Sequence, residues 1–230
     1  MNKKLVVDLL KNLKKAADPV KAPQMQSYMK SAMPYLGIQT PMRRQLFRHT
    51  VQGVSFKSAK DWESTARELW DKARFREERY CAIELTQLKC ARDFQTLSSL
   101  KLYEHMIVTG AWWDYVDSLA TQNIGGLLKK YPSAMAPRLL RWSRSSNLWK
   151  RRTAILAQLN FKSETNLELL YACIRPSLGS NEFFLQKAIG WALRQYARTN
   201  PQEVKRYVEK HSAELSNLSR REAMKRVVAD

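Results

Sequence analysis

Tyr115-Val116-Asp117-Ser118-Leu119 is the middle one of five short segments that superimpose on one another. The others are Arg43-Arg44-Gln45-Leu46-Phe47, Arg79-Tyr80-Cys81-Ala82-Ile83, Arg151-Arg152-Thr153-Ala154-Ile155 and Leu185-Gln186-Lys187-Ala188-Ile189. Their anchors Leu46, Ala82, Ser118, Ala154 and Ala188 follow one another at 36, 36, 36 and 34 residues. That period holds two helices and their turns, the size of a helical-hairpin repeat. Between the anchors the apolar residues recur with helical spacing, interrupted by Ser, Thr, Asn and Pro. Only seven glycines occur. No alternating strand pattern and no Asn-Gly hairpin signal is found, so the sequence predicts an all-α fold.

Repeats of this length predict a HEAT-like solenoid, an α-α superhelix with a basic concave surface, built as a single domain over residues 1–230. Thr40-Pro41 reads as a helix start, Thr as cap and Pro in the first turn. Ser219-Arg220-Arg221-Glu222 has capping-box spacing. Gly125-Gly126, Tyr131-Pro132 and Asn200-Pro201 read as breaks or kinks.

Forty Lys+Arg against 21 Asp+Glu leave a formal charge of +19 on 230 residues. Such an excess fits a phosphate-backbone partner and argues against an enzyme of small metabolites. Charge alone equally suits a basic protein of ribosomal type. Cys81, Cys90 and Cys173 show no short paired spacing and accompany only three histidines. Neither a disulfide framework nor a zinc site is expected, and a reducing cytosol fits the chain. The first ten residues mimic the charged start of a signal peptide, but Asp8 and Lys11 interrupt the apolar run. No membrane span is expected.

The charge is uneven. After Asp117 no acid appears until Glu164, and the interval carries nine basic residues, Lys150, Arg151 and Arg152 among them. Trp113 and Asp117, four apart, share one helix face. Counted from the anchors, Trp113 stands at −5, Asp117 at −1, Arg152 at −2 and Trp191 at +3. On a helix these positions fall within an arc of about 140°, opposite the shared Ala-Ile pair. Leu85 and Leu88 occupy the same arc in the second repeat, so part of it is expected to be core. An ordinary reading stays open for each residue: Asp117 as a surface salt bridge or cap, the tryptophans as buried packing. Trp112 is expected to face the core, Arg151 to face backbone or solvent, and Trp70, Trp142 and Trp149 to be structural.

These residues resemble the AlkD-type DNA alkylation repair family of HEAT-like alkylpurine DNA glycosylases. The resemblance covers nearly the whole chain. It is densest at Tyr28-Met29-Lys30, at Leu36-Gly37-Ile38-Gln39-Thr40-Pro41 and at Trp112 to Ser118. It is dense again from Gln186 to Arg194 and from Leu218 to Ala223. It implies excision of cationic alkylpurines of the 3-methyladenine and 7-methylguanine type from duplex DNA, as a monofunctional hydrolase without metal or cofactor. It implies Asp117 as the active-site aspartate, with Trp113 and Trp191 as the cleft tryptophans. Arg152 and Tyr28 match the cleft arginine and tyrosine, and with Arg194 they are expected to contact DNA. The chain departs from the family at none of these positions. A monomer in the cytoplasm, associated with the nucleoid when bound to DNA, is the accompanying expectation.

The chemistry is consistent with such a site. Breaking an N-glycosidic bond generates an oxocarbenium-like sugar, which one carboxylate stabilises while orienting a water. A purine alkylated at N3 or N7 already carries positive charge and leaves as a neutral base, so no general acid is needed. Indole faces attract cations by about 0.5–2 kcal/mol. The guanidinium fork of Arg152 suits a phosphate. The alternatives are a non-catalytic HEAT-like scaffold gripping DNA and a helical-repeat RNA binder.

Overall fold

The computed structural model describes residues 1–227. Fourteen α-helices occur among them, and no strand. In chain order they are α1 (Lys3–Lys15), α2 (Ala22–Met29), α3 (Thr40–Thr50), α4 (Ala59–Asp71), α5 (Arg76–Thr86), α6 (Leu100–Gly110), α7 (Trp113–Ser118), α8 (Gly125–Lys130), α9 (Pro132–Ser143), α10 (Leu148–Leu156), α11 (Leu167–Ile174), α12 (Phe183–Ala197), α13 (Pro201–Lys210) and α14 (Asn217–Met224). Packing divides the chain into two compact units, Met1–Leu102 and Tyr103–Asp230.

In the first unit, Leu5, Leu9 and Leu13 of α1 recur every four residues and are buried, with α1 packed on α3 and α4. The Asn2 side chain accepts the Leu5 N–H and so satisfies a free helix-end donor. Glu77, fully buried on α5, accepts the N–H groups of Leu36, Gly37 and Ile38 at 2.9–3.0 Å. Three donors on one carboxylate fix the segment that leads into α3. Leu85 is fully buried, so this part of the predicted arc is core.

The second unit is a stack of helical hairpins. Helix α7 packs on α10, α10 on α12 and α12 on α14, while α9 and α11 form the neighbouring row. The anchors of the last three repeats sit on α7, α10 and α12. The Ala-Ile pairs 82–83, 154–155 and 188–189 are each at most 3 % exposed, as the repeat register requires. Trp70, Trp142 and Trp149 are buried.

Three local expectations are corrected. The chain does not break at Gly125-Gly126: α7 and α8 are joined by a π-helical segment, Leu119–Ile124, into one continuous rod. Gly125 serves close approach, since a Cβ there would lie 2.6 Å from the Ala157 carbonyl oxygen. Helix α3 is capped by Gln39, without a side-chain bond, and Thr40 is its first residue. The cap of α14 is Ser216, whose hydroxyl accepts the Ser219 N–H, so Ser219 and Glu222 lie inside the helix.

Candidate active site

Asp117 lies at the end of α7, one turn after Trp113; Trp113 is half-buried and the Asp117 side chain is largely buried. Opposite them, α10 presents Arg152, which is 4 % exposed. Asn147 caps α10 by accepting the N–H groups of Trp149 and Lys150, fixing where the helix starts. The Arg152 guanidinium donates Nε–H to Asp117 Oδ1 at 2.7 Å and Nη2–H to Oδ2 at 2.8 Å, a two-pronged ion pair. Its Nη1 donates to the Phe184 carbonyl at the start of α12. The fork expected to clamp a phosphate therefore holds Asp117 in this structure.

The surroundings make that pair rigid. Trp112 is the N-cap of α7, and its extended backbone turns it away from Trp113. Its ring packs against Trp149 at 6.2 Å and Phe184 at 5.5 Å between centroids. The Arg152 Cζ sits 5.9 Å from the centre of the Phe184 ring. Arg151 points elsewhere and donates to the Pro176 carbonyl and the Ser177 hydroxyl. Burial raises the Asp117 pKa, the hydrogen bonds and charge of Arg152 pull it down, and nearby Asp114 pushes it up again. The ordinary reading of Asp117 as a salt bridge is thus correct as geometry, but the pair is buried rather than a solvated surface contact.

Trp191 lies on α12, partly buried against the core cluster of the second unit. Arg194, three residues on, pairs with Glu222 of α14. Tyr28 is 80 % exposed at the end of α2 in the first unit. Two partners of the predicted site residues escaped the sequence reading: the Phe184 carbonyl, because backbone acceptors leave no signal in composition, and Glu222, which the spacing assigned to a capping box. A cavity of about 330 Å³ in the second unit is lined by Tyr171, Arg175, Glu203 and Tyr207, among others, and by none of the predicted site residues. Among the described residues, no His/Cys/Asp/Glu group is arranged to hold a metal, and no helix is long and apolar enough to cross a membrane.

A family model described as "DNA alkylation repair enzyme" matches residues 9–227. Among solved structures, the chain is similar to a predicted DNA alkylation repair enzyme from Enterococcus faecalis, with a TM-score of 0.82 and 31% identity. The match covers 93% of this chain and 98% of that one. No curated protein matches. With the family model matched over nearly the whole of this chain and the fold shared with such a relative, the chain belongs to the DNA alkylation repair enzyme family.

Proposed function

We propose that the chain is a monofunctional DNA glycosylase that hydrolyses the N-glycosidic bond of cationic N3- and N7-alkylated purines in duplex DNA. The observation that carries this reading is Asp117: a carboxylate whose side chain is only 12 % exposed, gripped on both oxygens by a buried arginine, one helical turn from Trp113. Desolvation strengthens the field of the carboxylate, and the guanidinium keeps it charged and immobile. A carboxylate offers about four lone-pair positions. Arg152 takes two, leaving acceptors for a water and for the sugar that becomes positive as the bond breaks. In this reading Arg152 positions Asp117. Trp113 and Trp191 wall the cationic nucleotide, and Tyr28 and Arg194 contact DNA.

The site as read recognises charge and contains no Asn or Gln to read a base edge. Release should follow the lability of the glycosidic bond: 7-methylguanine and 3-methyladenine leave, while neutral hypoxanthine and uracil stay. Asp117→Asn should lower 7-methylguanine release by about 10²–10³, with duplex affinity close to that of the parent. Base release from defined duplexes, measured on both proteins, is the test. Parental rates in the variant would leave a DNA-gripping scaffold without this catalysis as the surviving reading.

A further inference from the structure

Lys187, Trp191 and Arg194 stand at i, i+4 and i+7 on α12, so they line one face of the helix with the tryptophan in the middle. Across that face lies Glu222 of α14, whose side chain is 6 % exposed. Its Oε1 pairs with Lys187 Nζ at 3.2 Å and with Lys225 Nζ at 2.8 Å, and its Oε2 pairs with Arg194. The approach is very close. A Cβ on Gly190 would lie 2.5 Å from the Glu222 Cβ and 3.0 Å from the Ser219 carbonyl oxygen. Ser219 adds a hydroxyl bond to the Gln186 carbonyl at 2.9 Å. Helix α14 is therefore seated on α12 at a glycine, with one carboxylate bridging the cations that flank Trp191.

We infer that Glu222 is a positioning residue that holds Lys187 and Arg194 astride Trp191 as a binding site for one backbone phosphate of duplex DNA. This rests on the proposed function and gives its Trp191 wall an anchor on the DNA.

One carboxylate among three cations leaves a local charge of about +2, enough to attract a phosphate. Lys187 and Arg194 keep unused N–H donors and are 38 % and 29 % exposed as side chains. Free long cationic side chains lose about 2 kcal/mol of rotamer freedom each when they are fixed on a ligand. Fixing them beforehand on a buried carboxylate removes much of that cost at the moment of binding. The three pairings hold the Glu222 carboxyl down at about 2, the Lys225 hydrogen bond foremost, so the bridge is charged throughout the working range of pH.

The proposal makes a prediction opposite in sign to bulk electrostatics. Glu222→Gln keeps the side-chain shape but makes the protein more positive, which by charge alone should tighten binding to DNA. If Glu222 positions the two cations, the variant instead binds undamaged duplex about three- to tenfold more weakly. That loss should disappear when Glu222→Gln is placed in a Lys187→Gln/Arg194→Gln background. The double variant alone should lower the log–log salt slope of binding by about one unit. Thermal melting of each protein reports whether it is folded, and the double variant carries the test should Glu222→Gln melt early. Equal or tighter binding by folded Glu222→Gln, or an unchanged salt slope in the double variant, overturns the proposal. Because the readout is affinity, loss of base release does not bear on it, whereas a parent that fails to bind duplex overturns the proposed function itself.

Discussion

At the residue scale, the decisive contact is between Asp117 and Arg152, which are 35 positions apart. Neither is comfortable alone: a buried charge costs several kcal/mol unless its partner meets it with good geometry. Arg152→Met should therefore destabilise the protein by about 3–5 kcal/mol, since it leaves a buried carboxylate without a counter-charge. The pH dependence has a definite sign. Burial raises the Asp117 pKa, so the folded state holds that proton more tightly than the unfolded one. Ionising the group thus costs stability as pH rises through the folded pKa, and Arg152 offsets the cost. Without Arg152 the pKa rises further. The melting-temperature gap between variant and parent should be largest where the carboxylate is ionised in both proteins and narrow as falling pH protonates it. The acid limb of the pH–rate profile for base release should move to higher pH in the same variant. A gap that does not change with pH would show that the lost packing, and not the charge, is what matters.

At the element scale, the rod from α7 through the π-helical segment to α8 carries the carboxylate. Extra-wide turns of this kind recur at functional sites because they re-aim the side chains of the preceding turn. Thr121, inside the segment, donates its hydroxyl to the Asp117 carbonyl at 2.7 Å, so the backbone under the carboxylate is held by a side chain. The next residue after the segment, Gly125, lies against the Ala157 carbonyl just past the end of α10. Two neighbouring glycines then make an internally controlled test. Gly125→Ala must push backbone from backbone, and a cost of about 1–3 kcal/mol is expected, together with reduced base release as α7 and α10 separate. Gly126→Ala meets nothing within 4 Å on an exposed helical position, and should stabilise by about 0.5–1 kcal/mol. Denaturant melts of the pair check both signs. Equal effects would mean that the helix contact at Gly125 is not close.

At the scale of the whole molecule, the relevant property is the formal charge of +19. Each phosphate neutralised by a protein cation releases counterions, giving a log–log salt slope of about −0.9 per contact on duplex DNA. Affinity for undamaged duplex should thus fall by several log units per log unit of salt, with little dependence on sequence. A titration at stepped salt concentrations reads this directly. A flat response would exclude the basic surface as the binding surface and remove duplex DNA as the partner. The pairings seen here also indicate which cations to leave out of such a count. Arg152 is engaged with Asp117, and Arg151 with the Pro176 carbonyl and the Ser177 hydroxyl.

The sequence by itself determined the features that are local. The all-α fold followed from helical periodicity, and the repeat register from the anchors, three of which open buried Ala-Ile pairs. Trp113 and Asp117 share a face because they lie four apart on one helix. Even local reading failed where two starts competed: Ser216 and Ser219 are both acceptable caps, and packing of α14 on α12 chose the first while drawing Ser219 onto the Gln186 carbonyl. Tertiary structure alone decided the partners of the charges. Nothing in the spacing of Arg152 or Arg194 says that the first will close on Asp117 or the second on Glu222. A long cationic side chain takes whichever acceptor its neighbouring helix brings within reach. That was settled by how closely α7–α8 meets α10 at Gly125 and α12 meets α14 at Gly190.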